Sequence, residues 1–266
     1  MGRVGRIALT LCVAAACGSW RMSAQADLLH RTAVAGTATD AASLPSSIRT
    51  YELAVLDLAR AARVPVGLES MPETGPGPVS HPPSASAPQA TFAGRSVIDV
   101  LRAFDAAFPG YRWKEADGVI EISPASAGPS PLDSIASGGA ASLTNVTLGG
   151  ALEAVRAALD PTAKPREADA SAEEITVFLS NGPTGLKVDD SSERAMKASE
   201  ALLQQTFSVA APGASVRTLL DSIVRAHGGL TGWIVRYPTV GSHQMCQVAF
   251  ALSTGWEKSI EVRLAR

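Results

Sequence analysis

The sequence predicts an α+β protein: two small tandem α/β sandwich modules, each a short sheet with helices on one face, the second with a helical insertion. Three observations predict it. Apolar residues recur at helical spacing just ahead of short β-branched runs. The same helix-then-strand order returns about 119 residues further on. Between the two lies a stretch rich in Pro, Gly, Ala and Ser. The 266 residues therefore divide into a leader, 1–26, a first module, 42–124, a linker, 125–140, and a second, divergent module, 141–266.

The leader has the order of a secretory signal peptide. Arg3 and Arg6 precede an uncharged apolar run from Ile7 to Ala16, too short for a permanent membrane span, and Ala24-Gln25-Ala26 offers small residues flanking the cleavage position. Cleavage is expected after Ala26, giving a periplasmic or secreted protein. The alternative is a lipoprotein anchored through Cys17, which follows Ala14-Ala15-Ala16 but lacks the Leu usual three residues before such a cysteine.

In the first module Val55, Leu58, Ala59 and Ala62 form a helical stripe, and the chain passes into Val64-Pro65-Val66-Gly67-Leu68. That run reads as an edge strand, because Pro65 has no N–H to give to a ladder. Six prolines between Met71 and Pro88 then predict a long loop. Val97, Val100, Leu101, Phe104 and Phe108 form the next stripe, which Pro109-Gly110 ends. A β-hairpin follows, with Tyr111-Arg112-Trp113 and Val119 to Ile122 joined across Asp117-Gly118.

In the second module Leu148, Leu152, Val155 and Leu159 give a helix stopped by Asp160-Pro161, and Ile175 to Leu179 reads as a strand. Residues 183–206 form the insertion, with a helix from Glu193 to Gln204. Val216, Leu219, Leu220 and Ile223 repeat the spacing of Val97, Val100, Leu101 and Phe104, Ser215 falls where Ser96 falls, and Gly228-Gly229 closes the helix. Strands are expected at Trp233 to Tyr237, Cys246 to Leu252 and Ser259 to Leu264. A shared stripe is generic, but the equivalent Trp and hairpin argue for an internal duplication.

The run from Ala54 to Val66, followed by Val97 to Phe108, Tyr111-Arg112-Trp113 and Asp117 to Ile122, resembles the secretin and TonB short N-terminal domain. The likeness covers about 80 residues of the first module and, more faintly, the second. It implies small periplasmic α/β modules with a sheet and two helices that bind partner proteins or pack into rings. Arg63 stands where that family commonly has Gly, and the Pro-rich stretch is longer than the family pattern needs. Too few alternating strands follow for a barrel. A free-standing adaptor or accessory protein is what the resemblance implies.

Composition restricts the partners. The leader holds Arg3, Arg6 and Arg21 and no acidic residue, so of 23 basic residues 20 remain against 25 acidic, a net −5 after cleavage. Such a chain has no electrostatic footprint for nucleic acid or anionic lipid, and no transmembrane segment is expected after the leader. With Cys12 and Cys17 removed, Cys246 is the only mature cysteine, which leaves no internal disulfide.

Catalytic patterns are equally sparse. His243 and Cys246 are three residues apart, but a zinc site needs three or four ligands, and His30, His81 and His227 fall in unrelated segments. Glu173-Glu174 and Asp189-Asp190 are adjacent pairs whose side chains diverge rather than converge. Asn145-Val146-Thr147 has the form of a glycosylation acceptor, yet Thr147 is better placed as a helix cap. No catalytic residue, metal or cofactor is therefore expected. Trp113 and Trp233 are the candidate partner-binding residues, since Trp is favoured at interface hot spots, with core packing as the competing role. The expected function is a non-enzymatic interaction module for another envelope protein, the alternatives being a periplasmic hydrolase or a small-ligand binder with its site between the modules.

Overall fold

A computed structural model of the chain describes residues 28–31, 48–71, 94–126, 128–135, 142–160, 190–240, 243–254 and 257–263. The expected signal peptide with Cys17, Ala24 and Ala26, nearly all of the expected Pro-rich loop and the strand expected at Ile175 to Leu179 lie outside these residues. The described chain is α+β. In order, it forms α1 (Ile48–Ala62), β1 (Val66–Glu69), α2 (Val97–Ala107), β2 (Tyr111–Ala116) and β3 (Val119–Pro124). A 3-10 turn, Pro131–Asp133, leads to β4 (Ser142–Val146), α3 (Leu148–Leu159), α4 (Asp190–Gln204) and β5 (Phe207–Ala210). The chain then forms α5 (Val216–His227), β6 (Leu230–Arg236), β7 (Thr239–Val240), β8 (His243–Leu252) and β9 (Glu257–Arg263).

Local chemistry sets the helix ends. Ser96 and Ser215 cap α2 and α5, their hydroxyls accepting the Asp99 and Thr218 amides at 3.3 and 3.2 Å, and Thr147 caps α3 through Gly150 at 3.4 Å. The first amides of α2 and α5 are met in the same way, Val97 N by Arg31 O at 2.9 Å and Val216 N by Ser134 O at 3.1 Å. Gly228 ends α5 at φ 71°. Arg63 ends α1 in the same left-handed region, at φ 52°, without glycine's freedom to be there.

The halves do not hold separate sheets. Strand order is β2-β3-β1-β6-β8, with β9 on the far side of β8 and β7 extending the β8 hairpin. β1 runs parallel to both β3 and β6. It was expected at an edge on account of Pro65, yet it lies in the middle of the sheet. Pro65 precedes the ladder, so its missing N–H is not needed, and its carbonyl accepts the Ile120 amide at 3.0 Å.

Alternation along the strands gives the sheet two cores. Val66, Leu68, Ile120, Ile122 and Ile234 pack with α1 and α2 on one face. Trp233, Val235, Val248, Phe250 and Val262 pack with α3 and α5 on the other. The ribbon β4–β5 adds Leu143, Phe207 and Val209 to this second core. β6 is thus apolar on both sides, and α1 of the first half lies over a strand of the second. At the seam, a Cβ on Gly67 would run into the Trp233 indole and one on Gly232 into the Val66 carbonyl. Two glycines permit this close pairing.

Part of the expected linker is also built in. Leu132 is 0% exposed in the second core, and Ile135 bridges to Ser215. At the other end Leu28 is buried in the first core, and the Leu29 carbonyl accepts the Ile98 amide at 3.0 Å.

Candidate functional site

The two tryptophans face opposite sides of the sheet, each toward a helix of its own half. Trp113 on β2 is half-buried and donates its indole N–H to Asp105 Oδ2 on α2 at 2.8 Å. Trp233 on β6 donates to Asp221 Oδ1 on α5 at 2.7 Å and is 0% exposed. A fully buried indole has no surface for a partner, so the expectation is corrected for Trp233, and only Trp113 reaches the outside.

The Cys/His candidates do not form a nucleophile. Cys246 is buried, and burial, followed by the charge of Glu69, pushes its thiol up to about 12. Such a thiol is inert near neutrality. His243 contributes backbone to β8, and its side chain lies outside what is described. His227 is buried, with Nε2 donating to Leu202 O at 3.0 Å and Nδ1 accepting the Gly229 amide at 3.3 Å. Burial lowers its pKa, so the neutral ring ties α5 to α4. Glu173, Glu174 and Asp189 are outside the described residues; Asp190 opens α4. Among the described residues no cluster of His, Cys, Asp and Glu could hold a metal ion.

Sequence reasoning missed the ionisable groups buried between the halves. Glu69, at the end of β1, accepts from Arg217 Nη2 at 2.6 Å, Tyr237 OH at 2.6 Å and Ser130 Oγ at 2.5 Å. Arg217 on α5 also reaches Asp133 at 2.9 Å and Glu121 at 3.8 Å, and its guanidinium carbon lies 5.9 Å from the Trp233 ring centre. Its Nη1 is buried without a hydrogen-bond partner, and the guanidinium as a whole lies within cation–π distance of the indole. On the opposite face Arg236 donates to Glu52 at 2.9 Å and to Glu257 at 3.1 Å, and Ser70 donates to the same Glu52. Each cluster joins the first half to the second.

One carboxyl here has the character of an acid–base group. Burial pushes Asp221 up to about 7, against the Trp233 hydrogen bond, and Glu121 raises it further by charge and by a shared hydrogen bond. Near-neutral carboxyls beside an arginine are common in active sites. Here Glu69, Glu121 and Asp221 are all buried, and none lines the groove described below. Their chemistry serves to pair the halves.

The accessible feature is a groove of about 1080 Å³ elsewhere on the junction. Arg31, Arg60 and Arg63 line it from the first half and Arg225 from the second, with Asp117 the acidic residue among them. Arg60 is paired to Asp57 at 2.8 Å, and Arg225 donates to Ser222 Oγ at 3.1 Å. Arg31 Nη1 donates to the Arg63 carbonyl at 2.9 Å, which sets those two residues side by side. Ser208, Val209 and Ala210 of β5 form another wall. Four arginines against one aspartate, in a chain with more acids than bases, make this concavity locally positive. No family model, curated protein or solved structure matches this chain.

Proposed function

We propose that the chain is an exported, non-enzymatic protein that binds another envelope protein, as a free-standing adaptor of the kind its resemblance to the secretin and TonB short N-terminal domain implies. The observation that carries this reading is the set of open strand edges. Among the described residues β2 and β9 end the main sheet with one side unpaired, and β4–β5 stands as a two-stranded ribbon. Open edges of this kind accept a strand from a partner. The arrangement of α1 and α2 on β1, β2 and β3 is compatible with the module the resemblance implies. Burial of Cys246 weighs against a hydrolase built on it.

Cross-linking in an envelope fraction followed by affinity capture is expected to recover one discrete protein in near-stoichiometric amount. Strictly monomeric behaviour with no cross-linked product would overturn the adaptor reading.

A further inference from the structure

We propose that the arginine groove is the docking site for an extended acidic segment of the partner, which adds as a strand to the open edge of β5 while its carboxylates meet Arg31, Arg60, Arg63 and Arg225. This rests on the adaptor reading and deepens it by naming the chemistry of what is bound.

Charge gives the first reason. The groove gathers cations on a protein whose composition is acidic overall, so a positive field here is local and points at one class of ligand. Arginine suits carboxylates, because its planar fork pairs with both oxygens.

Arg63 gives the second. It is exposed, sits at φ 52° and lines the groove, although glycine would meet the same helix end without steric cost. A strained non-glycine residue points to a role for its side chain. The Arg31 bond to the Arg63 carbonyl then brings a second guanidinium to the same spot.

The third reason is the shape of the wall. β5 alternates, with Phe207 and Val209 buried and Ser208 and Ala210 exposed, and among the described residues it pairs with β4 alone. Its residues line the groove and those of β4 do not, so the open edge of the ribbon is the one that faces the arginines. A four-residue strand offers only a short ladder, which leaves the ion pairs to supply much of the affinity. Backbone pairing is available to a peptide and not to a nucleic acid or a lipid headgroup. A volume of about 1080 Å³ also exceeds what a single phosphate fills.

The test uses the whole purified protein and a fluorescent peptide of about eight residues alternating Glu with Val, long enough to span β5. The same peptide with Lys for Glu, a single-stranded oligonucleotide and inorganic phosphate serve as comparisons. The Glu peptide is expected to bind saturably and to weaken about tenfold or more in Arg63→Glu/Arg225→Glu. Hydrogen exchange should slow at Ser208 to Ala210 on binding. Arg63→Gly, which relaxes the backbone, keeps the test valid if the charge-reversed protein does not fold: it is expected to fold and to bind several-fold more weakly. Equal binding of the Lys peptide, oligonucleotide binding as tight as that of the Glu peptide, displacement of the peptide by phosphate at low concentration, or undiminished binding to Arg63→Gly would each overturn the proposal. Capture of the same envelope protein by wild type and by a folded Arg63→Glu/Arg225→Glu would overturn the groove and leave the adaptor reading standing.

Discussion

The two halves begin alike and part company at one strand. Each has a serine-capped helix leading into a Trp-bearing strand whose indole is held by an aspartate of that helix. In each, a short strand also precedes that helix, but β1 of the first half enters the shared sheet whereas β5 of the second leaves it to pair with β4. Their sequences explain the divergence. Val-Gly-Leu-Glu is buried at every position, its glycine admitting the Trp233 ring and its glutamate received by Arg217; Phe-Ser-Val-Ala alternates, burying one face and leaving the other outside. A strand with something to bury on both faces becomes the centre of a sheet, and one with a single apolar face becomes a ribbon. The halves are therefore fused at β1, with their helices on opposite sides of one sheet.

Fusion predicts that damage on either side is felt by the whole. Arg217→Met leaves Glu69 buried without its cation and should cost about 3 to 5 kcal/mol, read as the midpoint of urea unfolding. Phe104→Ala in the first core and Ile223→Ala in the second should each cost about 2 to 5 kcal/mol. Near- and far-ultraviolet circular dichroism should follow one coincident transition in both variants. Survival of one half as a folded fragment would break the comparison and restore two independent modules.

Gly67→Ala probes the seam itself. Its methyl group meets the Trp233 ring, and the expected loss of about 1 to 3 kcal/mol should come with altered Trp fluorescence. An unchanged spectrum would mean that the strands separate more easily than their pairing suggests.

The raised carboxyl of Asp221 makes the junction pH-dependent. The folded chain holds that proton up to about 7 whereas the unfolded chain releases it in the ordinary carboxyl range, so the contribution is full at the acidic end and declines as pH rises through about 7. Glu69, Glu121, Asp133 and Arg217 face the same space, but Asp221→Asn, which keeps an acceptor for Trp233 and a donor for Glu121, should flatten the melting-temperature profile between about pH 4 and 7. An unaltered slope would assign the titration elsewhere. The smallest effect is expected from Arg63→Gly, a gain of about 1 kcal/mol from a relaxed helix end.

Much of this architecture was legible. α3 matches its stripe from Leu148 to Leu159, and Ser96, Thr147 and Ser215 cap where their side chains predict. The junction was not legible, for a physical reason. Ile120-Glu121-Ile122 has the alternation of a strand with one solvated face, and besides Lys114 of the neighbouring strand Glu121 meets Arg217, on a helix arriving from nearly a hundred residues away. Arg217 likewise reads as the polar side of an amphipathic helix until three carboxylates surround it. Local periodicity reports which face is apolar; it carries no information about a second layer that closes over the polar one. The arginine groove was hidden for the same reason, since its four cations come from three segments far apart in sequence.

The anchoring of Leu28 in the first core fixes how far the folded body can stray from wherever its leading end is attached. If Ala26 is the last residue removed, the new terminus is Asp27, the immediate neighbour of that anchor, and has almost no slack. If Cys17 instead carries a lipid, ten residues lie between it and Leu28, a leash of at most about 40 Å when fully extended. The body would then patrol only a thin shell above the bilayer, close enough for any partner to be met at the membrane surface.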